Sequence, residues 1–104
     1  MSSSSFKDFV LDQLAKLADL DCKRMFGGYG LYQDGTFFGI IFKDQLYFKT
    51  SDASRPDYLK RGSGPFRPNA KQTLKTYFTV PAEILEDHGR LVEWAKTAVL
   101  AAKT

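Results

Sequence analysis

Residues 31–49 read LYQDGTFFGIIFKDQLYFK, and this stretch is the clearest indication of the fold class. Asp34-Gly35 is a strong two-residue hairpin signal, because both turn positions need a positive φ. The apolar run over 36–42 is typical of a central strand covered on both faces. Lys43-Asp44 forms a second short turn, and residues 45–50 alternate as a strand does. With a preceding strand over 25–32, the pattern predicts an antiparallel meander.

The sequence outside the meander predicts helices at both ends of one domain. Helical spacing indicates a first helix over 5–18 and a short helix from Ser51 or Asp52 to Arg61. Glycines and prolines predict a loop over 62–70, followed by a strand over 73–80 and about one helical turn over 81–86. Asp87 is a suitable cap for the last helix. We therefore expect an α+β fold, with a disordered serine-rich start over 1–5 and a single compact domain over 6–104, whose two terminal helices pack on the sheet.

Composition limits the class of protein. The chain has 104 residues, a net charge of +3 and 43% hydrophobic residues, which suits one soluble domain. Cys22 is the single cysteine, so an internal disulfide is excluded. No apolar stretch approaches the roughly 20 residues of a membrane span, and the start lacks a signal peptide. These features predict a cytoplasmic protein without a membrane partner.

Three features invite a chemical interpretation, and none of them predicts catalysis. Gly27-Gly28-Tyr29-Gly30 lacks the Gly-Lys-Ser/Thr of a phosphate loop, and its glycines are better explained by a bulged or closely approached strand. His88 is the single histidine, so a catalytic Cys22 has no other histidine base, although Lys23 and Arg24 favour its thiolate. The sequence predicts no catalytic residue, no cofactor and no metal.

A basic segment is the main indication of a binding surface. Between positions 55 and 75 the chain carries six basic residues and one acid, Asp57. The basic residues are Arg55, Lys60, Arg61, Arg67, Lys71 and Lys75. Neighbouring aromatic residues suit stacking on bases, so the segment is a candidate site for nucleic acid or another anion. The alternative is an ordinary solvated loop.

A second candidate site lies on the predicted strands. Arg24, Tyr29, Tyr47 and Lys49 would line a small-molecule pocket if they share one sheet face. The alternative is that the tyrosines cap the edge of the core with their hydroxyls in water, while the basic residues are solvated.

Several motifs resemble one known family. Residues 24–32 read RMFGGYGLY and resemble the signature of the TfoX (Sxy) N-terminal domain of bacterial competence regulators. Residues 46–49 (LYFK), 52–57 (DASRPD), 77–81 (YFTVP) and 91–95 (LVEWA) are similar to later motifs of that family. The resemblance covers about 6–102. It implies a compact α+β domain with an antiparallel sheet, and neither an enzymatic activity nor a cofactor.

The resemblance also implies a role. Members of this family positively regulate DNA-uptake genes together with the cyclic-AMP receptor protein, and full-length regulators add a C-terminal helical domain that this chain lacks. We expect a stand-alone, non-enzymatic domain, monomeric or homodimeric, that contacts a protein of the bacterial transcription machinery. The alternatives are weak, non-specific nucleic-acid binding through the basic segment, and a small-molecule-binding domain or unrecognised enzyme.

Overall fold

Helices flank a run of strands along the chain. The computed structural model describes residues 3–25 and 27–103. Within these residues the helices are α1 Ser3–Gln13, α2 Arg55–Lys60, α3 Ala82–Leu85 and α4 His88–Ala102. The strands are β1 Leu20–Met25, β2 Gly28–Gln33, β3 Thr36–Phe42, β4 Gln45–Lys49, β5 Pro65–Asn69 and β6 Gln72–Thr79.

All the described strands join one antiparallel sheet in the order β1-β2-β3-β4-β6-β5. Strands β1 to β4 form a meander, because each pairs with the next along the chain. The chain then leaves the sheet through α2, and β6 pairs with β4 on return. Strand β5 pairs with β6 and forms the second edge of the sheet. The predicted α+β class and antiparallel meander are confirmed.

Both predicted tight turns of the meander are confirmed. Asp34 and Gly35 have φ values of 48° and 83°, and they join β2 to β3. Lys43 and Asp44 have φ values of 50° and 60°, and they join β3 to β4. Positive φ at both central residues gives the turn a twist that matches the twist of the strands it connects.

One face of the sheet packs against the helices. The four helices contribute Val10, Tyr58, Ile84 and Leu91 to a single apolar core. The strands contribute Leu31, Phe38, Ile41, Leu46, Phe48 and Phe78 to the same core. We call this side of the sheet the helical face.

The opposite side of the sheet carries an aromatic layer made by the strands, and we call it the strand face. The ring of Phe66 lies 5.3 Å from that of Phe42 and 4.6 Å from that of Tyr47, measured between centroids. The ring of Phe37 lies 5.2 Å from Tyr32 and 5.5 Å from Tyr77. The sheet therefore has apolar layers on both sides, as predicted for its central strand.

An irregularity in β3 explains how one apolar run serves both layers. Leu31 pairs with Gly39, and the next residue Tyr32 pairs with Phe37, so Phe38 is the extra residue of a β-bulge. Phe38 is buried in the helical core, whereas Phe37 packs on the strand face.

The predicted first helix and first strand are wrong in their bounds. The helix ends at Gln13 rather than 18, and the buried Leu14 and Leu17 lie in the turns that follow it. It begins at Ser3, inside the predicted disordered start, while residues 1 and 2 lie outside the described residues. The predicted strand over 25–32 corresponds to β2, and the prediction misses the preceding strand β1, from which the chain turns at Gly27 with a φ of 82°.

The predicted loop over 62–70 contains strand β5, which is a further correction. Pro65 and Pro68 argued for a loop, because proline cannot donate a backbone hydrogen bond. An edge strand needs donors on one side only, so β5 tolerates both prolines. The side chain of Phe66, inside the predicted loop, is fully buried.

Candidate functional site

The four residues of the predicted sheet pocket do not share one face. Arg24 pairs with Tyr29 across β1 and β2, and Tyr29 packs against the helical core. Lys7 of α1 lies over the Tyr29 ring, with its Nζ 5.1 Å from the centroid. Tyr29 pairs with Ile41 of β3, which is also in the helical core. The pair Arg24–Tyr29 therefore belongs to the helical face.

Tyr47 and Lys49 lie on the strand face. Tyr47 pairs with Ile40, the neighbour of Ile41, and adjacent strand residues point to opposite faces. Lys49 Nζ lies 5.4 Å from the Tyr77 ring centroid and donates a hydrogen bond of 2.9 Å to Thr76 Oγ1. Burial raises the pKa of the Tyr47 hydroxyl. The four residues of the predicted pocket therefore form two pairs on opposite faces of the sheet.

The predicted basic segment also separates into two groups. Arg55, Lys60 and Arg61 belong to α2 and its C-terminal cap, and each lies within 4.0 Å of a carboxylate. Arg55 is further held by Thr50, whose Oγ1 accepts a hydrogen bond of 3.0 Å from Arg55 Nε. These side chains are therefore partly neutralised by their own neighbours.

Arg67, Lys71 and Lys75 lie on the β5–β6 hairpin. All three are exposed, and in the described part of the chain none of them forms an ion pair. Residues 62–81 contain no acid, so the hairpin is a local source of positive charge. Of the six predicted basic residues, the three on this hairpin therefore remain as the candidate basic surface.

A cluster that the sequence does not reveal joins α2 to α4. Arg61 lies over the ring of Trp94, with its Cζ 5.3 Å from the centroid, and its Nε lies 3.4 Å from Glu83 Oε1. Arg61 Nη1 also donates to the carbonyl oxygen of Asp57 at 3.0 Å. We call Arg61, Glu83 and Trp94 the Trp94 cluster.

The buried side chain of Tyr58 packs against this cluster on the side of the helical core. The Tyr58 ring lies 4.7 Å from Trp94 and 6.2 Å from Phe78 of the helical core. Burial, followed by the charge of Asp57, strongly raises the pKa of Tyr58. The guanidinium and the indole are therefore presented on a rigid base.

A groove of about 510 Å³ opens on the strand face. Its floor is Phe37, Ile40 and Phe42 of β3. One wall is Met25 at the end of β1, and the other wall is the β5–β6 hairpin, through Pro68, Asn69, Gln72 and Leu74. The side-chain amides of Asn69 and Gln72 are the polar groups of this lining. The hairpin deviates from regular pairing at two places, which accompanies its approach to β1.

The groups that sequence analysis considered for catalysis are dispersed. Cys22 lies in β1 and packs against the helical core. Burial raises the pKa of its thiol, and the opposing effect comes from Lys7 rather than from Lys23 or Arg24. His88 is an exposed first residue of α4. In residues 3–25 and 27–103, no three histidine, cysteine or acidic residues are grouped to hold a metal ion. None of the helices described is long and apolar enough to cross a membrane.

Comparison with known proteins agrees with the sequence motifs. The profile of a family described as "TfoX N-terminal domain" matches residues 12–102. A curated relative from Spirochaeta aurantia is named "uncharacterized 12.7 kDa protein in trpE 5′ region". The two sequences are 26% identical over 100 residues, which cover 96% of this chain and 83% of the relative.

Proposed function

Since this chain belongs to the TfoX N-terminal domain family, we propose that it is a non-enzymatic domain that acts in bacterial transcription regulation by contacting a protein partner. The family resemblance supplies the expected setting, a complex that includes RNA polymerase or the cyclic-AMP receptor protein. The proposed contact surface is the Trp94 cluster.

The composition and support of the Trp94 cluster carry this proposal. Tryptophan, tyrosine and arginine are the residues that most often dominate the binding energy of protein interfaces. Here an arginine already lies over a tryptophan, and a buried tyrosine packs against the indole. A partner that covers the cluster would bury these groups with little loss of side-chain freedom, because Tyr58 and Glu83 hold them in place.

A pull-down with the purified chain tests the proposal. We expect the wild-type chain to retain RNA polymerase or the cyclic-AMP receptor protein, and Arg61→Ala to reduce the retained amount by roughly tenfold or more, as for a central interface residue. Lys96→Ala is the matched control, because Lys96 also pairs with a glutamate and lies on α4 two residues beyond Trp94. Those two residues rotate it about 160° from the cluster.

Two results would contradict the proposal. The first is that neither protein is retained by the wild-type chain. The second is that Arg61→Ala and Lys96→Ala reduce binding equally, since the effect would then reflect the loss of a surface charge. Circular dichroism of both variants establishes that each remains folded.

Nucleic-acid binding is a second candidate function, and the unpaired cations of the β5–β6 hairpin favour it. Fluorescence anisotropy of a labelled DNA at two salt concentrations tests it. We expect the logarithm of the affinity to fall by about 0.9 for each phosphate contact per tenfold rise in salt. The double variant Arg67→Ala, Lys75→Ala should weaken binding, whereas Lys60→Ala, Lys96→Ala on the helices should not. Equal weakening by both pairs would contradict a specific role for the hairpin.

A further inference from the structure

The side chains at the β1 end of the groove pack directly over a glycine of β2. Gly28 and Gly30 alternate with Tyr29 along β2, so both glycines face the strand side while Tyr29 faces the helices. A Cβ at Gly30 would come within 2.7 Å of Met25 Sδ and 3.0 Å of Phe37 Cε1, two groups that line the groove. The absence of a side chain at Gly30 therefore lets the β1 wall and the β3 floor meet across β2, beside the Tyr32 ring.

The size and lining of the groove suit one small molecule. Ligand pockets commonly enclose about 300–1,000 Å³ and combine an apolar lining with a few polar groups. This groove has about 510 Å³, an apolar floor and two amides at one wall. No charged side chain belongs to the lining, so the interior suits an apolar or aromatic body.

Lysines surround the groove at three points. Lys43 Nζ lies 5.4 Å from the ring centroid of Phe42, a floor residue. Lys23 Nζ lies 5.0 Å from the Tyr32 ring, which packs on the floor residue Phe37. Lys71 occupies the hairpin turn between the wall residues Asn69 and Gln72, and its backbone N–H donates to Asn69 Oδ1 at 2.9 Å. In the chain as described, none of these three lysines forms an ion pair.

We propose that this groove is a binding site for a small amphipathic anion, with an apolar or aromatic body and one anionic group. The body would lie over Ile40 between Met25 and Leu74, where it replaces water on apolar surface. The anionic group would remain at the rim, where Lys23, Lys43 or Lys71 provides a positive charge without being buried. This site lies on the opposite side of the sheet from the Trp94 cluster, so it is independent of the proposed protein contact.

Two fluorescent probes with the same rings test the proposal. Anilinonaphthalene sulfonate carries the anionic group, and N-phenylnaphthylamine lacks it. We expect saturable binding of the sulfonate to the native chain with one site, and displacement by decanoate at a lower concentration than by decanol. A single-stranded oligonucleotide should not displace it. A denaturation curve measured with the probe present should show an increase in the unfolding midpoint, as for any ligand of the native state.

Two sets of lysine variants distinguish binding of the probe in the groove from binding caused by general surface charge. The triple variant Lys23→Gln, Lys43→Gln, Lys71→Gln should weaken sulfonate binding by roughly fivefold or more, because every rim lysine that could hold the single anionic group loses its charge. It should leave N-phenylnaphthylamine binding unchanged. The matched control is Lys16→Gln, Lys60→Gln, Lys96→Gln, which removes the same charge from the helical side. Leu74→Trp should block both probes by filling the groove.

The outcomes that overturn the proposal are specific. Absence of saturable binding, equal affinity for both probes, or equal effects of the two lysine triples would each exclude an anion site in this groove. Displacement of the sulfonate by the oligonucleotide would instead assign the strand face to nucleic acid. Because Arg61→Ala leaves the strand face intact, its binding of the probe should equal that of the wild type, whether or not the protein contact is lost.

Discussion

Gly28 illustrates how a single residue limits the sheet. It lies at the start of β2, and a Cβ added there would overlap the backbone carbonyl oxygen of Ile41 in β3. Backbone atoms of a central strand cannot move aside as a flexible side chain can. The close-approach interpretation of the glycine motif therefore has a defined physical cause at this position.

A glycine pair provides the first prediction. Gly28→Ala should lower the free energy of unfolding by about 1–3 kcal/mol or more, because the methyl group forces β2 away from β3. Gly64→Ala is the control, since nothing lies within 4 Å of its added Cβ. That variant should change the free energy of unfolding by less than about 1 kcal/mol. Urea denaturation measures both, and similar values for the two variants would contradict the steric explanation.

Tyr77 gives a prediction for alkaline pH. Burial, followed by the proximity of Tyr32, raises the pKa of Tyr77 from 10.0 to about 12. The folded state then keeps a proton that the unfolded state loses, so the contribution is complete below pH 10 and is lost as the pH rises to about 12. Tyr77→Phe should make the free energy of unfolding fall less steeply across this interval. Urea unfolding at successive pH values measures it, and an unchanged slope would contradict the prediction.

At the scale of elements, the ends of helices and strands follow local chemistry. The tight turns of the meander use residues with positive φ, and Gly62 follows the cap of α2 with a φ of 80°. The predicted cap of α4 is confirmed, because Asp87 Oδ1 accepts a hydrogen bond of 3.1 Å from the backbone N–H of Arg90. These signals act over a few residues, so sequence alone is sufficient to identify them.

The α4 cap provides the prediction at this scale. Asp87→Ala should lower the free energy of unfolding by about 0.5–2 kcal/mol, because one N–H of the first helical turn loses its acceptor. Asp87→Asn keeps an acceptor oxygen and should lose less. Thermal and urea denaturation of the two variants provide the measurement. Equal losses would indicate that the carboxylate charge, rather than the hydrogen bond, stabilises the start of α4.

At the scale of the whole molecule, the sheet is stabilised from both sides. Phe48 is fully buried under the helices, and Phe66 is fully buried on the strand face between Phe42 and Tyr47. The β5–β6 hairpin supplies Phe66 and also forms one wall of the groove. The strand face is therefore part of the folded core as well as the location of the proposed anion site.

Truncation of Phe66 tests this second layer. Phe66→Ala should lower the free energy of unfolding by about 3–5 kcal/mol, the usual cost for a buried phenylalanine. Phe66→Leu preserves much of the volume and should lose considerably less. Hydrogen exchange should show faster exchange in β5 and β6 for the alanine variant. A loss below about 1 kcal/mol, typical of an exposed site, would contradict a core role for the hairpin.

The fold class, the meander, its two turns and the cap of α4 can all be predicted from the sequence. Each depends on contacts between residues close in the chain, and periodicity and turn chemistry record such contacts directly. The family signature was also visible, because its motifs are short contiguous segments.

Which side chains are in contact is known from the tertiary structure alone. Arg61 and Trp94 lie more than 30 positions apart, and neither residue's type indicates its partner. Tyr29 and Tyr47 look equivalent in sequence, yet strand register sends them to opposite faces. Strand β5 forms because β6 offers it a paired edge, despite two prolines. Pairing partners and sheet faces depend on long-range packing, and a local pattern carries no information about that packing.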